Sequence, residues 1–346
     1  MDAFSAGKQI PLLMACSSGH IDAIRALVRL GADMNARSEK GKTPLILASI
    51  NDDKNAIHLL VKRGAKVKEN TVMGQIALHF AASHGSAIAL RELLHKGNDP
   101  ETRTTDGCSP LHLAVLNGHS STIKELVERG SDIEGKDQHG YTSMHYSVFS
   151  GKAHLARILL DKEADVNAKD AHGFTPLHFT AQTNCIEVGQ ELIKQGARVN
   201  SQAKDDITPL MIAAYHDNKD AGSLLISHGA KVNARHKNGK TALHFSSVKG
   251  NVEFTKFLIE EGADINAVDN TGNTPLHRAC QIGQHRTVKV LLHARVNFNG
   301  KNRKGLTSLM IASNNGHLKC CKYLVKIGAN LHACHKTTGN SRPLRI

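Results

Sequence analysis

The sequence predicts an all-α chain, a solenoid of stacked antiparallel helix pairs with projecting β-hairpin-like turns. Three observations lead there. One pattern recurs every 33 residues, ten times over, with no insertion. Each copy holds two short stretches whose apolar residues return at i, i+3 and i+4, the spacing of one buried helix face. Start and stop residues fence these stretches at matching places in most copies.

The period sets the architecture. The copies open at Lys8, Gly41, Gly74, Gly107, Gly140, Gly173, Asp206, Gly239, Gly272 and Gly305. The expected domain plan is a short lead over 1–7, ten repeats over 8–338 and a basic tail over 339–346. A solenoid grows by adding neighbours and never closes a second core, so a chain of 346 residues need not divide into globular domains.

Within a copy, the first helix opens at a Thr-Pro-Leu-His-like tetrapeptide. Thr175-Pro176-Leu177-His178 and Thr274-Pro275-Leu276-His277 are full versions; Ser109-Pro110-Leu111-His112, Thr241-Ala242-Leu243-His244 and Thr43-Pro44-Leu45-Ile46 are variants. Threonine caps the helix, and proline fits the first turn, where a missing N–H costs nothing. A polar break such as Asn117-Gly118-His119 turns the chain into the second helix, whose apolar face is visible in Ile123-Lys124-Glu125-Leu126-Val127. A left-handed glycine such as Gly130 ends that helix, and endings such as Gly31-Ala32-Asp33-Met34-Asn35 and Gly262-Ala263-Asp264-Ile265-Asn266 lead into the turn. Glu163 and Arg295 stand where that glycine is expected. A side chain held at positive φ costs roughly 1 kcal/mol, so those two corners are expected to be looser. Ile10-Pro11-Leu12-Leu13 lacks the opening glycine, as a terminal cap would.

These motifs and their period resemble the ankyrin repeat, over nearly the whole chain. The resemblance implies a binding scaffold whose contacts fall on the turn tips and on two exposed positions late in each first helix. Those positions are Leu116/Asn117, Phe149/Ser150, Tyr215/His216, Val248/Lys249 and Gln281/Ile282. We read Leu116, Phe149, Tyr215 and Val248 as interface anchors with Lys249 beside them; packing between neighbouring repeats is the other reading. The turn-tip candidates are Arg235, Lys237, Lys240, Lys301, Arg303 and Lys304. The resemblance also implies substrates for an asparaginyl hydroxylase that favours a leucine eight residues earlier. Asn167 pairs in this way with Leu159, Asn200 with Leu192, Asn233 with Leu225 and Asn266 with Leu258. Bracing of the turn is reason enough for these asparagines and does not exclude modification.

Composition narrows the class further. Apolar residues make up 40% of the chain, but only 4% is aromatic and there is no Trp, so small aliphatics must do the packing. The N-terminus shows no secretory pattern, and no run approaches the ~18 apolar residues of a spanning helix. Seven scattered cysteines do not form a disulfide framework. The expectation is an intracellular protein of the cytoplasm, the nucleus or both.

Several motifs tempt and are set aside. Gly41-Lys42-Thr43 and Gly239-Lys240-Thr241 mimic the end of a phosphate loop, but Ala36 and Ala234 stand where its first glycine belongs. His79, His112, His145, His178, His244 and His277 share one repeat position, where a ring can bond to neighbouring turn backbone, so they read as structural. His317, Cys320, Cys321, His332, Cys334 and His335 have zinc-ligand chemistry, yet Cys320 and Cys321 fall in an apolar helix column, and a buried thiol behaves as a small hydrophobe. No catalytic constellation is visible, so the chain is expected to be no enzyme and to take no metal, cofactor or small-molecule substrate.

Charge is the sharpest individual feature. Asp269 is the last acidic residue, and thirteen basic residues follow it. Removing these from the totals of 44 basic and 31 acidic leaves 31 of each sign in the first 269 residues. The net charge of +13 therefore sits wholly in the last two repeats and the tail. Such a block steers anions. The expected function is a non-catalytic interaction scaffold that binds a protein partner along its concave face, with the basic end steering an acidic one. The alternative is association of that end with an anionic membrane or nucleic acid; the scarcity of aromatics there counts against single-strand stacking.

Overall fold

The computed structural model describes residues 10–333. It divides into two compact units, 1–171 and 172–346. Among the described residues there are twenty α-helices and no strand. In the first unit they are α1 (Pro11–Ser17), α2 (Ile21–Arg29), α3 (Pro44–Ile50), α4 (Lys54–Lys62), α5 (Ala77–His84), α6 (Ala87–His95), α7 (Pro110–Asn117), α8 (Ser120–Glu128), α9 (Ser143–Ser150) and α10 (Ala153–Leu160). In the second they are α11 (Pro176–Thr183), α12 (Ile186–Lys194), α13 (Pro209–His216), α14 (Lys219–Ser227), α15 (Ala242–Lys249), α16 (Val252–Glu260), α17 (Pro275–Ile282), α18 (His285–His293), α19 (Ser308–Asn314) and α20 (Leu318–Lys326).

Each unit has two layers. Odd-numbered helices pack against odd, and even against even, so that first helices form one layer and second helices the other. Small side chains let the first helices approach: Ala81, Ala114, Ser147, Ala213, Ser246 and Ala279 are all buried there. Each second helix faces the stack with a narrow apolar stripe, such as Ile123 and Leu126 on α8 or Phe254 and Leu258 on α16.

The turns between pairs are tight loops. Within the units they close with a backbone bond across five residues, as from Asp137 N–H to Tyr141 C=O (3.1 Å) or Asp269 N–H to Asn273 C=O (2.9 Å). One further bond links successive tips, as from Gln138 N–H to Asp106 C=O (3.1 Å) and from Arg303 N–H to Thr271 C=O (3.1 Å). This close approach explains the opening glycine. At Gly107, φ is +78°, and a Cβ would lie 2.8 Å from the Gln138 nitrogen. At the corners flagged from sequence, Glu163 and Arg295 do adopt positive φ, at 65° and 60°. The sequence reading missed that Asp52, Asn184 and Asp217 also take left-handed φ, at the close of first helices where Gly85, Gly118 and Gly250 stand in other copies. Asn and Asp tolerate that region better than most residues.

The histidine column is structural, and its geometry is consistent. The Nδ1 atoms of His112, His178 and His244 accept the N–H of the residue three earlier, at 3.0–3.1 Å. With Nδ1 accepting, the proton sits on Nε2, which donates to the next turn: His112 to Gly135 C=O (2.9 Å), His178 to Ile207 C=O (3.1 Å) and His244 to Asn273 C=O (3.0 Å). Each ring thus secures its own helix start and the following turn. Burial drives the rings of His79, His112 and His244 toward neutrality, lowering their pKa to about 4.

Candidate partner-binding surface

The late positions of each first helix project because the left-handed residue that follows turns the chain away. In the first unit Leu116 and Phe149 are both partly exposed, at 39% and 36%. Phe149 also packs edge-on against Tyr141 and Tyr146, with ring centroids 5.3 and 5.7 Å away. In the second unit Tyr215 is 42% exposed, and the Lys249 ammonium lies 4.3 Å from its ring centroid. Val248 is half-buried, so at that position the packing reading has weight. Ile282, named only as a pair partner from sequence, is the most exposed apolar side chain of this set at 51%.

The turn-tip cations sit on two stretches of turn. Around 235–240 they have partners within the unit. Arg235 donates to Val268 C=O at 2.6 Å, Lys237 pairs with Asp205 at 3.3 Å, and Lys240 lies 5.9 Å from the Phe245 ring centroid. Lys301, Arg303 and Lys304 are all exposed on a later tip. Of the basic block, Lys336, Arg342 and Arg345 lie outside the described residues.

Beside that tip is a cavity of about 460 Å³. Thr271, Asn273, Arg278 and Gln281 line one side, on α17 and the turn before it. Asn302, Lys304 and Leu306 come from the next turn, and Met310, Ile311, Asn314 and Asn315 from α19 and its end. Arg278 donates from Nε (2.8 Å) and Nη2 (2.5 Å) to the Asp269 carboxylate, which is almost wholly buried. Burial alone would raise the pKa of Asp269. Donors from Thr271, Arg278 and the Asn273 backbone outweigh it and hold the carboxyl below its usual range.

Sequence reasoning did not find this cavity, although a signal exists. Arg278 occupies a repeat column that otherwise reads Met14, Leu47, Phe80, Leu113, Tyr146, Phe179, Ile212, Phe245 and Ile311. A charged side chain replaces an apolar one and folds back to Asp269. The anchor column, which holds Leu116, Phe149, Tyr215 and Val248 but also Ser83 and Gln182, carries amides in both of the last two copies, Gln281 and Asn314.

The asparagines singled out from sequence brace successive copies. Asn200 donates to Gly229 C=O (2.9 Å) and accepts from Lys231 N–H (2.8 Å); Asn233 does the same with Gly262 (3.1 Å) and Asp264 (2.8 Å). Asn266 accepts from Asn297 N–H at 2.9 Å. Asn200, Asn233 and Asn266 are exposed and Asn167 is half-buried. Cys320 is buried, consistent with its place in an apolar column. Among the described residues no three His, Cys, Asp or Glu side chains converge to hold a metal ion, and Cys334 and His335 lie outside them. No helix among the described residues is long and apolar enough to cross a membrane.

Comparison with known proteins places this architecture. The family profile described as ankyrin repeats (3 copies) matches residues 2–71, 78–170, 132–203, 177–269 and 263–334. Among solved structures the chain is similar to the ankyrin repeat domain of Bcl-3, a unique member of the IkappaB protein family. The identity is 30% and the TM-score 0.54, covering 63% of this chain and 99% of that one. No curated protein matches the sequence.

Proposed function

The chain belongs to the ankyrin-repeat family, and from that premise we propose that it is a non-catalytic adaptor that captures a protein partner on the exposed face of its first helices. The family is a protein-interaction module. The observation that carries the assignment to this face is Tyr215. Tyr215 stands 42% exposed with a lysine over its ring, an arrangement that offers a large apolar area at low entropy cost. Leu116 and Phe149 extend the same chemistry at equivalent positions and Ile282 does so one position later in its copy, with Lys249, Arg235, Lys237 and Lys240 at the rim. Lys301, Arg303 and Lys304 steer acidic partners toward the last repeats. Exposure of Asn200, Asn233 and Asn266 in the turns leaves them open to hydroxylation as a modification of the same scaffold.

The test is an affinity capture from nuclease-treated extract at low and moderate salt. Baits are the wild type, Tyr215→Ala, and a Lys301→Glu/Arg303→Glu/Lys304→Glu variant. Retention of one protein by wild type at both salts, and its loss with Tyr215→Ala, is the expected result. Binding that vanishes with salt or nuclease and ignores Tyr215 transfers the function to the basic end as a polyanion site.

A further inference from the structure

The cavity between α17 and α19 has a chemistry unlike the rest of the surface. Its charge is nearly balanced from within. Asp269 neutralises Arg278, which leaves Lys304 as the one additional charge among the lining residues. The Arg278 guanidinium is also largely committed. Nε donates to Asp269, Nη2 to Asp269 and Thr271 (3.2 Å), and Nη1 to Gln281 (2.9 Å). Of the five donors a guanidinium carries, one N–H remains, held rigidly at the cavity wall. A single fixed donor and one flexible ammonium suit a carboxylate. A phosphate, with more charge and more acceptor oxygens, calls for a larger set.

The other groups fit a peptide. Gln281 Oε1 accepts from Arg278 Nη1, which leaves its NH₂ group to donate to a backbone carbonyl, and Asn314 carries both a donor and an acceptor. Leu306 and Met310 form an apolar floor between them. There is no aromatic ring in the lining on which a base could stack. A volume of about 460 Å³ lies within the range of ordinary ligand pockets.

We propose that this cavity is a peptide-reading site for an extended, acidic segment of a partner. It takes one Asp or Glu carboxylate at Arg278 and Lys304 and the neighbouring aliphatic side chain on Leu306 and Met310, while Gln281 and Asn314 hold the backbone between them. The inference rests on the adaptor reading and adds to it: the last two repeats place amides in succession in the column where Tyr215 and Val248 stand, beside an arginine found in no other copy's apolar column, so that this end reads a sequence where Tyr215 supplies area.

Fluorescence anisotropy on the full chain tests the assignment. The probes are fluorescein-labelled Gly-Glu-Leu triplets joined three times, the Gln-for-Glu version, and the Gly-for-Leu version. Lys304→Glu and Asn314→Asp are the variants; both side chains are exposed, and circular dichroism with urea unfolding verifies their folding. The expected result is binding of the first probe, weakened about tenfold or more by either peptide change and by either variant. Equal binding of the Glu and Gln probes overturns the proposal, and so does indifference to both variants. Displacement of the peptide by a single-stranded oligonucleotide or phosphatidylserine vesicles at lower concentration than unlabelled peptide also overturns it, in favour of a general anion surface. Tyr215→Ala separates the two readings. A chain that captures its partner through Tyr215 yet ignores the acidic probe loses the peptide site alone.

Discussion

The histidine seam and the basic cavity are both rich in polar groups, and they use them in opposite ways. Along the seam every polar atom named has its partner inside the chain: His112 Nδ1 takes the Ser109 N–H and Nε2 reaches Gly135. At the cavity, Arg278 keeps one donor uncommitted while Lys304 and Asn314 stand exposed. Both regions come from the same repeat unit, so residue type alone does not distinguish structure from recognition. What does so is whether the hydrogen-bonding capacity is closed within the fold.

Acid breaks the comparison most severely. His79, His112 and His244 are held neutral in the fold with pKa values of about 4, against an ordinary value of 6.5. Below pH 6.5 the unfolded chain therefore binds more protons than the folded one. Stability is fully present above 6.5 and falls as pH drops toward 4, by about 1.4 kcal/mol per pH unit for each histidine. Urea midpoints measured across that window should fall steeply and level off on the neutral side; a flat profile from 6.5 to 4 would show that these rings are not buried neutral. At fixed neutral pH, His112→Ala leaves an N–H and a C=O without partners and a void beside them, so a loss of about 2–4 kcal/mol is expected in chemical denaturation.

The surface responds in binding and not in stability. Tyr215→Ala should weaken partner capture by about 1–2 kcal/mol, read as a shift in Kd, while its unfolding midpoint stays with that of the wild type. A matching fall in stability would put Tyr215 on the structural side of the comparison. The smallest effect belongs to the irregular corners. Glu163→Gly relieves a side chain held at φ 65° and should stabilise by up to about 1 kcal/mol; a destabilised variant would mean that the glutamate makes a compensating contact.

Much of this was legible in the sequence because the period repeats every local rule ten times. The helix pairs, the capping threonines, the left-handed Gly130 and the structural histidines all follow from residue type at fixed register. Asp52, Asn184 and Asp217 escaped because the corner glycine is replaced by residues that also suit turns, and the replacement is visible only once φ is known. Half-burial of Val248 and the bond from Arg235 to Val268 depend on what the next copy offers, which a one-copy pattern does not contain. The cavity was missed for a related reason. Attention to what the repeat conserves passes over Arg278, where the informative fact is the break in an apolar column.

Within each unit one-bond links join turn tips of successive copies, and the imidazoles of His178 and His244 cross to the copy that follows. Mechanically, such a linkage behaves as a zip. A load applied to one end should act on one interface at a time, since among the described residues no bond of this kind reaches past the adjacent copy. Under tension the array should pay out in equal increments of 33 residues, each releasing roughly 100 Å of contour length. A scaffold of this kind can lose terminal copies to a pull and regain them when it relaxes, with the remainder still folded.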